Sequence, residues 1–473
     1  MPARPGVSGG RRGLVAAVTA LVVLGVGAAF AALGATDRLP GQADVTVTST
    51  PTVSTSPHPS APSVLADPSG TAASAPLRVA RLRALLADPA LGGDPSAMVV
   101  DAGTGQPLLA RESTVPRTPA SVAKLATTTA ALVAIGPETR FTTRTVTGTR
   151  PDDVVLVGGG DPTLALRRSS RAGYPRTASL ADLADQTATA LRRRTSTSPV
   201  RVLVDDTRYT GPRVSPAWPA GYVPSGVVSP VSPLWVDQGR VRAGSDVREP
   251  DPALAAGRDL ARLLRARGIR VSPTVGRATA PTGAAPLASV TSPTLAEIVE
   301  TDLQTSDNDL AEVLLREVAI ARGAPASFDG GTSSVLGVLD ELAIPTDGVV
   351  LRDGSGLSRQ SRVPPQTLAA ILTTAATDTA HPALRSLVTS LPVAGFSGTL
   401  AERYGIATTR PGAGLVRAKT GTLTGVSSLA GLVRDGARTV VFVVMSDGVP
   451  AGGTIGARTV LDRFAATVAA GPL

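Results

Sequence analysis

No cysteine occurs among the 473 residues, which excludes disulfides, thiolate nucleophiles and Cys-ligated metals. Histidine occurs twice, at His58 and His381, too few for the usual histidine-based metal sites. Aromatic residues make up only 3% of the chain, so its core must rest on Ala, Val and Leu. Two further residue types are almost missing. The only lysines are Lys124 and Lys419, and the only asparagine is Asn308; every other basic residue is arginine. Together with abundant Ala, Gly and Pro, this bias reads as compositional drift in a GC-rich genome. The drift carries no functional information, but the placement of the three survivors does.

The net charge of +9 raises the question of nucleic acid. No block of five or six basic residues appears, however, and the richest run is Leu191-Arg-Arg-Arg. No aromatics interleave with the arginines, so no nucleic-acid partner is expected. The length allows two or three domains and a large core.

Arg4, Arg11 and Arg12 precede an uncharged run from Gly13 to Ala35, long enough for a membrane-spanning helix with its arginines in the cytoplasm. Ala29-Phe30-Ala31 offers the rival reading, a cleaved signal peptide. On either reading the rest of the chain is exported to the cell envelope. Residues 36–75 are rich in Ser, Thr and Pro, lack periodic apolar residues, and are expected to be a disordered spacer. His58 lies in it, which argues against catalysis by that residue.

Order is expected from about Pro76. "LRVARLRALLADP" has helical spacing, Ala97 to Asp101 reads as a strand, and a helix follows Pro119. "DDVVLVGGGDP" reads as a strand ending in a tight turn; no G-K-[ST] follows to make it a phosphate loop. Mixed elements fill residues 161–287, including a strand at "VRVLVDD" and a helix at "DLARLLRARGI". Near the end, two apolar strands flank Asp435-Gly436 as a hairpin, and an amphipathic helix closes the chain. Helices at both ends of an antiparallel hairpin predict an α+β layer architecture.

In "TPASVAKLATTTAAL", Thr118 is a plausible N-cap and Pro119 suits the first helical position. Ser121 then falls in the first turn, where its N–H lacks a helical partner. Lys124 follows on the same face. A buried lysine can lose its proton and act as a base, whereas arginine cannot. The plainer alternative is a surface lysine after a capping serine, since S-x-x-K alone is common. Lys419 lies in "VRAKTGTLTG", where a compact cation beside the Thr420 and Thr422 hydroxyls suits a carboxylate and Gly421 permits close backbone approach. Asn308 lies two residues after Ser306 in "QTSDNDLAEVLL". The three scarce residues thus fall in S-x-x-K, S-x-N and K-T-G, a placement that chance would rarely produce.

This triple resembles the penicillin-recognising serine enzymes. Further stretches, "VDDTRYTGPRVSPAWP", "RDGSGLSRQSRV", "LPVAGFSGTLAERY" and "RAKTGTLTGVSSLAGLV", are similar to the S13 family of D-alanyl-D-alanine carboxypeptidases/endopeptidases, the penicillin-binding protein 4 type. The resemblance runs from about Pro76 to the C-terminus. It implies a β-lactamase/transpeptidase-like domain from residues 76–160 and 288–473, with inserted domain(s) at 161–287. It also implies an acyl-enzyme on Ser121, with Lys124 as base, Ser306 as proton relay and Asn308 on the substrate amide. Lys419, Thr420, Gly421 and Thr422 would bind the substrate, and the N–H groups of Ser121 and Thr422 would form the oxyanion hole. The substrates implied are peptidoglycan stem peptides, with β-lactams as inhibitors and with no cofactor and no metal. A β-lactamase or a non-catalytic penicillin-binding domain is the alternative. A Ser-His-Asp hydrolase would have to use His381, and "DGSGLS" matches G-x-S-x-G poorly.

Overall fold

The computed structural model describes residues 75–168, 173–194, 198–435 and 438–471. The anchor or signal segment and the spacer expected before residue 75 lie outside these residues. Among the described residues, no helix is long and apolar enough to cross a membrane.

The chain begins with α1 (Ala75–Leu86), β1 (Ser96–Asp101), β2 (Pro107–Arg111), α2 (Lys124–Ala134), β3 (Arg140–Thr147) and β4 (Asp153–Val157). Next come α3 (Leu180–Arg192), β5 (Arg201–Asp205), α4 (Pro252–Arg265), β6 (Gly276–Arg277) and β7 (Pro286–Thr294). Helices α5 (Leu295–Thr305), α6 (Asn308–Ala321), α7 (Phe328–Glu341), α8 (Pro365–Thr377) and α9 (Arg385–Thr389) follow. The chain closes with β8 (Val416–Leu423), β9 (Val426–Asp435), β10 (Arg438–Ser446) and α10 (Thr454–Ala469).

Two five-stranded sheets organise these elements. The first has the order β2-β1-β10-β9-β8 and is antiparallel throughout. Its β10 reads as an unbroken apolar run because both faces of the sheet are covered. Val441, Val443 and Met445 pack toward a helical layer that includes α2, α5, α6, α7 and α8. Val440, Phe442 and Val444 pack on the opposite face against α1 and α10. The hairpin expected at Asp435 is present, with Arg438 opposite Asp435. The structure is α+β, as expected.

The second sheet has the order β6-β5-β4-β3-β7. β4, β5 and β6 run parallel, and β3 pairs antiparallel with both β4 and β7. Parallel neighbours need crossovers, and α3 and α4 supply them. This sheet reaches beyond residues 161–287 at both ends, since β3 and β4 precede it and β7 runs past it. Its core likewise joins Leu156 and Ala288 to Leu180, Val202, Val204 and Leu260.

Capping fixes several helix starts. Ser179 and Asp251 cap α3 and α4, with Pro252 in the first turn of α4. Thr294 and Glu297 form a reciprocal capping box on α5.

Candidate active site

Helix α2 is buried along its length from Lys124 to Leu132. A helix buried on every side belongs in a core, and two of its threonines bond to backbone carbonyls. Thr128 Oγ1 donates to the Lys124 carbonyl at 2.7 Å, and Thr127 Oγ1 donates to the Gly354 carbonyl at 2.8 Å. The lysine at its head is therefore completely buried.

The turn before α2 differs from the sequence expectation. Ser121 lies in a 3₁₀ turn, Ala120–Ala123, and Thr118 does not cap it. The Thr118 hydroxyl accepts from Arg362 Nη1 at 3.0 Å, and its N–H donates to Asp447 Oδ2 at 3.2 Å. The reason is Ala120, whose φ of 50° breaks any continuous helix from Pro119. A left-handed non-glycine residue is strained and persists only where its surroundings hold it. The expected spacing survives this change, since Lys124 Nζ lies 3.2 Å from Ser121 Oγ.

Lys124 makes two more bonds, to Asn308 Oδ1 at 2.8 Å and to the Ser355 carbonyl at 2.8 Å. The amine donates to Asn308 Oδ1, so the carbonyl end of that amide faces it. The other end, Nδ2, donates to the Val227 carbonyl at 3.0 Å. Burial pushes the Lys124 amine below its ordinary range, and the charges of Asp302, Glu312, Asp307 and Asp353 partly oppose this.

Ser306 caps the end of α5 with φ 58°, a left-handed residue that turns the chain into α6. Asp307, the middle residue of S-x-N, acts locally. Its carboxylate caps α6 by accepting from the N–H groups of Asp309 and Leu310. The tight reversal brings Ser306 Oγ to 2.7 Å from Lys419 Nζ, which also donates to the Thr420 carbonyl at 2.9 Å. Lys419 is fully buried. Burial, joined by the charge of Lys124, pushes it well below its ordinary range, while Asp302 opposes.

Gly421 is tight for a reason other than ligand approach. A Cβ there would stand 2.7 Å from the Pro119 carbonyl oxygen and 3.2 Å from the Val122 nitrogen. The missing side chain lets β8 run directly beside the Ser121 turn. Thr420 Oγ1 donates to Thr399 Oγ1 at 3.0 Å, and Thr422 is exposed. Ser121, Ser306, Asn308 and Thr420 are partly exposed above the two buried amines. The structure thus gathers every site residue expected from the sequence. His381 is elsewhere, on an exposed turn with Asp378 Oδ2 2.7 Å from its Nδ1.

Several supporting residues carry little sequence signal. The loop Asp353–Gly356 presents the Ser355 carbonyl to Lys124. Glu312 accepts from the N–H groups of Ser355 at 2.8 Å and Gly354 at 3.1 Å. Asp353 accepts from Trp218 Nε1 at 2.7 Å and from the Ser358 and Gly356 N–H groups. Burial pushes Glu312 up to about 8, helped by the nearby Asp353 charge. "RDGSGLSRQSRV" marks this loop in the sequence, but nothing there says that its contribution is a backbone carbonyl.

A second support is a strap between β5 and α4. Besides Val227, Ser229 N–H donates to Asp309 Oδ1 at 2.7 Å, and Gln238 Nε2 donates to Asp307 Oδ2 at 2.6 Å. Arg248 pairs with Asp309 at 3.0 Å with both side chains almost fully buried. Breaking a buried pair on one side typically costs about 3–5 kcal/mol, and Arg248→Ala should do so in urea unfolding. The loss should also depend on pH. Burial, then the charge of Asp307, raises Asp309 to about 7 against Arg248. A raised carboxyl stabilises the folded state below its unfolded value near 4, and that stability is lost as pH rises through the folded value. Without Arg248 the folded value rises further, so the deficit should be larger at pH 8 than at pH 5.

A family model for the D-Ala-D-Ala carboxypeptidase 3 (S13) family matches residues 78–249 and 242–468. A carboxypeptidase of Mycobacterium tuberculosis is 38% identical over 390 residues, covering 81% of this chain and 82% of its own. Carboxypeptidase DacB of Mycolicibacterium smegmatis is 39% identical over 393 residues, covering 82% of each. The crystal structure of penicillin-binding protein 4 from Haemophilus influenzae matches with a TM-score of 0.67 at 22% identity, covering 82% of this chain and 98% of that one. That last likeness is one of fold. The family read from the three motifs is the family matched along the chain: this protein belongs to the D-Ala-D-Ala carboxypeptidase 3 (S13) family.

Proposed function

We propose that the protein is a serine D-alanyl-D-alanine carboxypeptidase acting on peptidoglycan stem peptides through an acyl-enzyme on Ser121. The observation that carries this reading is the buried Lys124 amine, 3.2 Å from a partly exposed serine hydroxyl. Its relatives are named carboxypeptidases, and two are named D-alanyl-D-alanine carboxypeptidase.

Ser121 Oγ attacks the carbonyl of the D-Ala–D-Ala bond and passes its proton to Lys124. The new oxyanion lies between the N–H groups of Ser121 and Thr422, where loss of one such donor typically costs about 2.7–4 kcal/mol. The C–N bond then breaks, and Ser306 relays the proton held by Lys124 to the departing amine, which leaves Lys124 neutral again. Asn308, held from both ends, orients the substrate amide. Thr420 and Thr422 bind the terminal carboxylate in the positive potential of the buried Lys419, and Gly421 keeps their strand against the Ser121 turn. Water hydrolyses the acyl-enzyme, with Lys124 taking its proton and returning it to Ser121 Oγ as the ester bond breaks. The same steps on a cross-linked stem give endopeptidase activity. A β-lactam opens its ring on Ser121, and its leaving amine stays tethered.

This substrate puts the enzyme outside the cytoplasm. We further read Gly13–Ala35 as a membrane anchor or signal peptide, and 36–75 as the spacer that lets the enzyme reach the wall. Because the second sheet includes β3, β4 and β7, we place the inserted unit at about 140–294.

Intact-mass spectrometry after incubation with penicillin tests the assignment. One persistent adduct, mapping to the peptide that contains Ser121, is expected, together with D-alanine release from a pentapeptide stem. An adduct on another residue overturns the reading. Rapid penicillin hydrolysis without D-alanine release would instead make the protein a β-lactamase.

A further inference from the structure

Residues 391–404, one of the stretches that carry the family resemblance, have no part in the proposed reaction, yet the fold sets them against its site. Pro392 to Ala394 run antiparallel along β8, the edge strand of the first sheet. Ala418 N–H donates to the Pro392 carbonyl at 3.0 Å, and Ala394 N–H donates to the Val416 carbonyl at 3.0 Å. The segment is also clasped to the end of α5. Gln304 Nε2 donates to the Ser390 carbonyl at 3.1 Å. Gly398, with φ of 54°, packs so closely on Gln304 that a Cβ there would stand 2.6 Å from its backbone carbonyl oxygen. A short 3₁₀ turn, Gly398–Leu400, follows, and the buried Leu400 anchors it in the core. Thr399 is the residue of this turn that reaches the site. Its Oγ1 accepts from Thr420 Oγ1 at 3.0 Å, and both residues are partly exposed. Among the described residues, each of these hydroxyls makes this one hydrogen bond. The Thr420 carbonyl is held separately by Lys419 Nζ, so its hydroxyl is left to turn.

We propose that Thr399 is a positioning residue for the substrate carboxylate: it donates a hydrogen bond to Thr420 Oγ1 and so releases the Thr420 O–H to point at the carboxylate. This role rests on the assignment of Thr420 to the carboxylate above. A threonine hydroxyl carries one proton and two acceptor lone pairs. While Thr420 donates to Thr399, its lone pairs are what an arriving carboxylate would meet, and they repel it. Rotation of both hydroxyls reverses the pair. Thr399 then donates to Thr420, and Thr420 donates to the carboxylate. A hydroxyl that accepts one bond while donating another is polarised, which strengthens its grip on the anion. The clasp on β8 and α5 keeps Thr399 at the distance this reversal needs.

Two acyl-D-alanine thioesters test the role, one with a leaving thiol that bears a carboxylate and one with a neutral leaving thiol. Both form the same acyl-enzyme on Ser121, so the difference between them reads the leaving-group side alone. Wild type should prefer the carboxylate-bearing compound in kcat/KM. Thr399→Val keeps the side-chain shape and removes the donor. It should lower kcat/KM for the carboxylate-bearing thioester about 3–10-fold more than for the neutral one, the scale of one neutral hydrogen bond. Thr399→Ser should restore the difference. In a Thr420→Val background, Thr399→Val should make no further difference between the two compounds, because it acts through that hydroxyl. Equal losses on both thioesters would mark a merely structural role and overturn the proposal, as would no loss on either. Should the valine variant not fold, Thr399→Ala removes the same donor and is read in the same way. The wild type alone tests the underlying assignment. No preference for the carboxylate-bearing thioester would remove Thr420 as its ligand and the role of Thr399 with it, whereas a clear preference that Thr399→Val leaves intact would remove the role of Thr399 alone.

Discussion

Ser121→Ala should abolish covalent trapping by penicillin and lower kcat/KM for D-alanine release by about 10⁴-fold or more, the scale on which nucleophile removal acts. The change deletes one oxygen from a partly exposed residue in a short turn. That oxygen accepts a hydrogen bond from Lys124 at 3.2 Å. Substitutions outside a packed core usually change stability by less than about 1 kcal/mol, so melting temperature should scarcely move. Lys124 would keep its bonds to Asn308 and Ser355. The measurement is fluorescent-penicillin labelling beside a thermal melt. Equal labelling of the alanine variant would mean that another nucleophile is at work.

Lys124→Arg should have the second largest effect, although it preserves positive charge. A guanidinium does not deprotonate in proteins, and positioned proton transfer contributes about 10²–10⁴-fold. The penicillin acylation rate should fall by at least that factor. In the wild type, burial lowers the proton affinity of Lys124. The reactive form is the neutral amine, so the rate should rise as pH increases through a midpoint below the ordinary lysine value. The arginine variant should lack this limb. Lys124→Met separates bulk from charge, because it also lacks a base but fits a buried site more easily. Wild-type acylation with an unchanged limb in Lys124→Arg would show that Lys124 is not the base.

The chemistry was legible because drift toward arginine left so few lysines and asparagines. Lys124, Asn308 and Lys419 stand out without any alignment, and their neighbours Ser121 and Ser306 follow from the spacing. The helix pattern of the Lys124 segment and the hairpin at Asp435 were also local signals. The cap at Thr118 was misread because the competing contacts to Arg362 and Asp447 come from residues far along the chain. The second sheet was hard to bound for a similar reason: β3 pairs with β7, and no local pattern reports that pairing.

What the sequence determined by itself was the identity of the candidate groups, because chemistry depends on residue type: two amines, two hydroxyls and one amide. Tertiary structure alone decided what those groups are. The Lys124 amine lies below its ordinary range only because α2 is buried, and burial is a property of everything packed around it. Asn308 is aimed by a lysine on one side and by the Val227 carbonyl on the other. Such contacts join residues 184 positions apart, so no reading along the chain could have assigned them.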